Sequence, residues 1–340
     1  RLQLREGALP ALDLPLDFVR PAVQTFAGAA VAVTLSQDVS VRLESVGRSH
    51  GCTLFQLVVA VWGLLLCRHA GQEEVIVGTP YHGRDAAGTE GMIGYFVNML
   101  ALRLEVARGE SVSSLLRHAR DVAAGAMRHA AVPWQVVVQE LLPRRSHDAS
   151  RNAVFQTMLS WEEGSVGDVE GLSTLLGASV EVTPLGRGSM QREAKCELTL
   201  EAGMGASGGL TGEVEFNTNL FERASVERLV GRLVFVAEWL AAEGGAVAAD
   251  VWAVPMLPPE EEATVLRSFN DTAAPFPQDA CVHDLLAAQT ARTPDAVALE
   301  WEGAQMTYSE LEACSERVAV WLVAHGVEPD GVVALQLDRS

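Results

Sequence analysis

Residues 93–103 read IGYFVNMLALR, and their reading decides the fold. Gly94 leaves room for close backbone approach, and Phe96, Val97, Met99 and Leu100 want a covered surface. The run ends in alternating apolar residues, and the whole stretch is read as an apolar strand with Asn98 inside it. Asn98 is the odd residue, because a buried amide without partners costs about 1–3 kcal/mol. Two readings stay open for it. It pairs with a neighbouring backbone at a bend, or it marks a strand end that lines a cleft.

The stretch resembles the GxFVNT…R motif of condensation domains in nonribosomal peptide synthetases. Gly94, Phe96, Val97, Asn98 and Arg103 match, and Met99 stands where that family has a small polar residue. Further stretches resemble the family's motifs in the family's order. LDLPLDFVRP (12–21) is similar to its LPxDxPRP connector. Gly78, Pro80, Gly83 and Arg84 fit GxPxAGR, and His129, Val132 and Pro133 fit HQDVPFE. Asp148, Ser150, Arg151, Asn152, Phe155 and Gln156 fit RDxSRNPLFQ. AKCELTL (194–200) resembles xKFDLTL, with Cys196 and Glu197 for Phe and Asp. FNTNLF (216–221) resembles YNTDLF.

Composition narrows the function class. The chain has 340 residues, 49% hydrophobic and 20% charged, enough for more than one domain. A formal charge of −19 argues against nucleic acid and anionic membrane as partners, since phosphate binding needs clustered Lys and Arg. Five scattered cysteines without a CxxC pair read as reduced thiols of a cytoplasmic protein, not as a disulfide frame or a metal site. The apolar run 54–67 is too short to span a membrane and predicts a buried helix. The chain opens at Arg1 without Met and ends just after the strand-like run 332–337, so both ends read as cut.

Taken in order, residues 1–27 with Pro10, Pro15 and Pro21 read as extended connector. A strand at 29–35 precedes two helices capped by Ser36 and Thr53, the second ended by Gly71. A strand at 75–79 leads into the polar loop 80–91, where His82 reads as an exposed loop residue. A helix spans 112–128, a Pro-started helix ends at 142, and strands follow at 155–161, 180–183, 196–201 and 210–217, with a loop at 164–171. The last helix of this part covers 224–242. The order predicts an α/β fold, a mixed sheet with helices packed on it. The strand at 29–35 and the apolar helix are expected to need cover from outside the chain, with marginal solubility as the consequence.

After an Ala-, Gly- and Pro-rich stretch the resemblance changes. FNDTAAPFP, VHDLLAAQTARTPDAVAL and MTYSEL (306–311) are similar to the opening of an adenylation domain, with Ser309 as the expected cap of its helix. The division is therefore 1–255, the C-terminal subdomain of a condensation domain; 256–275, linker; 276–340, the start of an adenylation domain. The resemblance implies a chloramphenicol-acetyltransferase-like fold.

Peptide-bond formation between two thioesters needs a positioned proton handler. The family's HHxxxDG motif is absent from this sequence, so no catalytic residue is assigned. The resemblance makes Gly94, Phe96, Asn98, Arg103, Arg84 and Asn217 the substrate-channel candidates, with ion-pair roles for the two arginines. It implies phosphopantetheine on upstream and downstream carrier domains, and ATP with Mg for a complete adenylation domain. The phosphate loop of such a domain is not in the sequence, and neither is a GxxxxGK[ST], GxSxG or HExxH motif. The rival readings are a non-catalytic carrier-docking module and a coenzyme A-dependent acyltransferase of the same fold.

Overall fold

The computed structural model describes residues 9–85, 87–89, 91–141, 148–162, 192–205, 207–242 and 246–337. They form two units, divided between Ser268 and Phe269, a point inside the stretch read as linker. The expected elements at 164–171 and 180–183 lie outside the described residues.

The first unit opens with β1 (Ala27–Thr34), α1 (Gln37–Ser49) and α2 (Leu54–Ala70). Ser36 caps α1 by accepting the Val39 N–H, and Thr53 with Gln56 forms a capping box on α2. Gly71 ends α2 in the left-handed conformation, at φ 67°. There follow β2 (Glu74–Tyr81), β3 (Asn98–Glu105), α3 (Val112–Met127) and α4 (Trp134–Leu141). Next come β4 (Thr157–Glu162), β5 (Arg192–Glu193), β6 (Leu198–Met204) and β7 (Leu210–Asn217). Two helices close the unit, α5 (Arg223–Ala241) and α6 (Pro259–Leu266).

The strands make one seven-stranded sheet in the order β3-β2-β4-β6-β7-β1-β5. β2, β4 and β6 run parallel, and the outer pairs are antiparallel, which is the mixed sheet the sequence predicts. α2 lies under it with every residue from Gln56 to Cys67 buried. Its Trp62 is fully buried and donates its indole N–H to Thr157 Oγ1 at 3.1 Å. The larger core joins α1, α2, α3 and α5 to this face. A smaller core on β2, β3 and β4 gathers Ile76, Ala101, Val154 and Phe155 beside Leu141 of α4. Gly78 admits the Phe155 ring, since a Cβ there would lie 2.4 Å from it.

Four expectations are corrected. The strand begins only at Asn98; Gly94–Val97 stay outside it, with Ile93 and Tyr95 exposed. The reason is local, because Arg84 binds the carbonyls of Thr89 and Met92 and holds that stretch as a loop. The cover for 29–35 and for the apolar helix comes from within. β1 is paired by β7 and β5, and α2 is enclosed by the larger core. In the second unit, Thr307 rather than Ser309 caps the helix, because Thr307 and Glu310 form the reciprocal box. Residues 332–337 join no strand among the described residues.

The second unit contains α7 (Val282–Arg292), the antiparallel pair β8 (Val297–Trp301) and β9 (Ala304–Thr307), and α8 (Tyr308–Ala324). Its hairpin turns at Glu302 and Gly303, both at positive φ. Among the described residues no single helix is long and apolar enough to cross a membrane.

Candidate functional site

The candidate wall is built where β2 ends and β3 begins. Tyr81 pairs with Asn98 in the β2–β3 register, so the loop between them leaves and returns at one sheet edge. Gly83 turns the loop at φ 67°, and a Cβ there would meet the Phe96 carbonyl oxygen at 2.1 Å. Arg84 donates from Nη1 to Thr89 O at 2.5 Å and Met92 O at 2.8 Å. The same guanidinium carbon lies 4.3 Å from the centre of the Phe96 ring, a cation–π contact. A Cβ on Gly94 would lie 3.0 Å from the same ring. Gly83, Arg84, Gly94 and Phe96 thus form one unit.

Asn98 fastens the wall to α4. Its Nδ2 donates to Ala130 O and Val132 O, both at 2.7 Å. Its Oδ1 accepts the Trp134 N–H at 3.0 Å. Pro133 precedes α4 and has no side-chain oxygen to cap it, so a strand residue supplies the acceptor. The backbone-pairing reading of Asn98 therefore describes its amide, which is used up. The two family-like stretches at 94–103 and 129–134 meet through this one side chain. The rim outside is apolar: Met92, Ile93, Tyr95 and Val97 are exposed.

Titratable groups line the loop's start. Tyr81 donates its hydroxyl to Asp85 Oδ1 at 2.6 Å, and this bond pushes the phenol up to about 12. The His82 ring lies against Tyr81, with centres 4.7 Å apart, and is largely exposed. The pattern of residues gave no signal for the Tyr81–Asp85 pair, which depends on the turn at Gly83.

The other two candidates lie elsewhere. Arg103 is five residues along β3 from Asn98, about 16 Å at strand rise, and donates to Glu74 Oε2 at 2.6 Å. Asn217 ends β7, four strands across the sheet from β3. It is buried, its Nδ2 donates to Thr25 O at 2.6 Å, and its Oδ1 accepts the Asn219 N–H at 2.9 Å.

Asn217 belongs to a seam between the connector and the sheet. Arg20 meets Glu197 with two hydrogen bonds, at 2.8 and 3.0 Å, both side chains largely buried. Arg151 donates to Leu12 O at 2.9 Å, and Gln156 accepts the Leu12 N–H at 2.8 Å. Asp148 takes the Ser150 N–H and hydroxyl, which hold its carboxyl below the usual range. Asp17 ties the connector to the start of α5 by accepting the Glu222 N–H and the Ser225 hydroxyl, both at 2.8 Å. The space left in the seam is a cavity of about 10 Å³, roughly one water in size. The sequence shows Glu197 as an acid in place of an acid, but not that Arg20 is its partner.

In the second unit Cys281, His283 and Asp284 place ligand-type atoms close together, all exposed. Asp284 there accepts the Cys281 N–H at 2.8 Å, reaching back from the third position of α7 to its N-cap residue.

The comparisons with known proteins agree with the motif order. The condensation-domain family matches residues 2–262, and the AMP-binding enzyme family matches 286–340. Tyrocidine synthase 3 of Brevibacillus parabrevis is 33% identical over 98% of this chain and 5% of its own length. Surfactin synthase subunit 1 of Bacillus subtilis (strain 168) is 33% identical over 98% of this chain and 9% of its own. The chain thus spans under a tenth of the length of these relatives. Among solved structures, holo-AB3403, a four-domain nonribosomal peptide synthetase bound to AMP and glycine, aligns with TM-score 0.78 and 25% identity. That alignment covers 96% of this chain and 25% of the other. The X-domain from teicoplanin biosynthesis shares the fold, with TM-score 0.63 and 21% identity over 75% of this chain and 55% of its own. The chain belongs to the condensation-domain family of the nonribosomal peptide synthetases, a mixed α/β fold of the chloramphenicol-acetyltransferase type, and runs on into the start of an AMP-binding enzyme domain.

Proposed function

We propose that residues 1–255 are the C-terminal lobe of a condensation domain in an elongation module. In this reading the parent joins an upstream acyl or peptidyl thioester to the amine of a downstream aminoacyl thioester. Both substrates ride on phosphopantetheine arms of carrier domains. The AMP-binding region of the parent activates the acceptor amino acid with ATP and Mg. The residues of this chain do not fit ATP by themselves, because no phosphate-binding loop stands among them.

The observation that carries the reading is the Asn98 clamp. It fastens the wall to the start of α4, and the rim beside Phe96 and Gly94 is apolar and exposed. Such a rim suits the methyl and methylene groups of a pantetheine arm. Gly94, Phe96, Asn98 and Arg84 then shape the channel. Arg103 and Asn217 support the sheet on which it rests, Arg103 through Glu74 and Asn217 through the connector.

Chemistry requires the HHxxxDG motif from another stretch of polypeptide. The test is amide formation from two loaded carriers. The chain alone is expected to give none, and the chain joined to a stretch bearing HHxxxDG is expected to give product. Amide formation by the chain alone would sink the reading. If carriers bind the joined protein and no product forms, the carrier-docking alternative replaces it.

A further inference from the structure

We propose, resting on the channel reading, that Tyr81, His82 and Asp85 form a docking point for the ammonium group of the acceptor. The three residues stand at the start of the β2–β3 loop, where the wall is built. Tyr81 lies opposite Asn98 in the β2–β3 register, Gly83 turns the chain against the Phe96 carbonyl, and the Arg84 guanidinium lies over the Phe96 ring. His82 stands where the GxPxAGR pattern has its alanine, so the cluster is a feature of this chain and not of the motif.

Two side chains face one carboxylate. Tyr81 donates its hydroxyl to Asp85 Oδ1 at 2.6 Å, and the phenol, pushed up to about 12 by that bond, keeps its proton at neutral pH. With that proton committed, the phenol oxygen offers only lone pairs. His82 Nδ1 accepts the Arg84 N–H at 3.0 Å, so the ring proton of the neutral imidazole sits on Nε2. Nε2 lies 3.9 Å from Asp85 Oδ1.

The cluster has no lysine or arginine of its own. Arg84, the residue before Asp85, is spent on Thr89 O, Met92 O and the Phe96 ring. Among the described residues no arginine or lysine pairs with Asp85, and no donor reaches its Oδ2. The side chains of His82 and Asp85 are each 62% exposed, so a ligand reaches them from solvent. Two acceptor oxygens 2.6 Å apart, one of them on a carboxylate, suit a group that brings only donors and a positive charge. A primary ammonium is such a group. A carboxylate or a phosphate would set lone pairs against lone pairs. The acceptor of the proposed reaction carries an α-amino group that is largely protonated at pH 7. The apolar rim of Met92, Ile93, Tyr95 and Val97 lies on the same loop and serves its arm.

Ligand-observed NMR titration of the full chain at pH 7 tests the site with two stable amide analogues of acylated pantetheine, one glycyl and one acetyl. The two differ only in the ammonium. The glycyl analogue is expected to bind about two- to fivefold more tightly, the size of one exposed ion pair, and the preference should shrink at high salt. Asp85→Asn is expected to abolish the preference, and Asp85→Ala provides the same reading should the Asn variant misfold. Asp295→Asn, which removes an exposed charge of the second unit, is expected to keep it. A wild-type chain that does not prefer the glycyl analogue overturns the proposal and leaves the channel reading standing. So does a preference that survives both Asp85 substitutions, or one that Asp295→Asn also removes. If neither analogue binds, the channel reading fails and the docking point falls with it.

Discussion

The side-chain oxygen of Asn98 accepts the backbone N–H of Trp134 at 3.0 Å, so a strand residue caps a helix 36 positions away. The same amide gives both its N–H groups to Ala130 O and Val132 O. Removing it should loosen α4 and the β2–β3 loop together. Asn98→Ala loses three hydrogen bonds and is expected to cost about 2–3 kcal/mol by denaturant unfolding. Asn98→Asp should cost more at pH 7, since a carboxylate would face two carbonyl oxygens. That carboxyl would titrate above its unfolded value, so the penalty should shrink as pH falls. An Asp variant as stable as wild type at pH 7 would show that the carbonyls do not bind this amide.

Much of the architecture was legible because local and global signals agree. The caps at Ser36 and Thr53, the left-handed Gly71 and the all-apolar α2 each point to one conformation, and the structure adopts it. Residues 93–97 misled because apolar side chains suggested a strand, while Gly83 and Arg84 bend the backbone away first. The wall was legible only in part. Gly94, Phe96 and Asn98 are close in sequence, whereas the Arg84–Phe96 contact and the Asn98–Trp134 bond depend on tertiary placement. Ser309 failed as a cap because Thr307, two residues earlier, finds Glu310 at the reciprocal spacing.

Arg20 and Glu197 tie the connector to β6 through a paired, largely buried contact. Glu197→Leu leaves a covered guanidinium without its counter-charge and is expected to cost about 2–4 kcal/mol. Arg20→Met combined with Glu197→Leu removes both charges and should recover most of that loss. Limited proteolysis should then cut the single Glu197 variant within residues 13–25, and the double variant far less. Equal losses in the single and double variants would assign the cost to packing instead.

The thiols divide by environment. Burial pushes Cys67 and Cys196 up to about 12, and Cys52 is also buried and raised. Cys281 is exposed and Cys314 partly so. Because the thiolate is the reactive form, an aromatic disulfide reagent at pH 8 should titrate two thiols in the native chain. The other three should respond only after denaturation. A third fast thiol in the folded protein would place one of the buried cysteines in a more open setting.

On the sheet face away from α2, Glu201 lies opposite Glu213 in the β6–β7 register, and Glu215 follows two residues later. Arg192 forms paired contacts with Glu213. Burial first, then Glu201, raises the Glu215 pKa above 4.5, and Arg192 only partly opposes this. A raised carboxyl pKa means that the folded state binds protons more readily than the unfolded one. Ionised Glu215 therefore costs stability at neutral pH, and the cost fades as pH drops through its folded value. Glu215→Gln is expected to gain about 0.2–1 kcal/mol at pH 7, the range for relieving like charges across strands with solvent screening included. Thermal unfolding at pH 7 and pH 4 gives the check. The variant's advantage should vanish at the lower pH, and an equal gain at both would mean that the charge of Glu215 is not its cause.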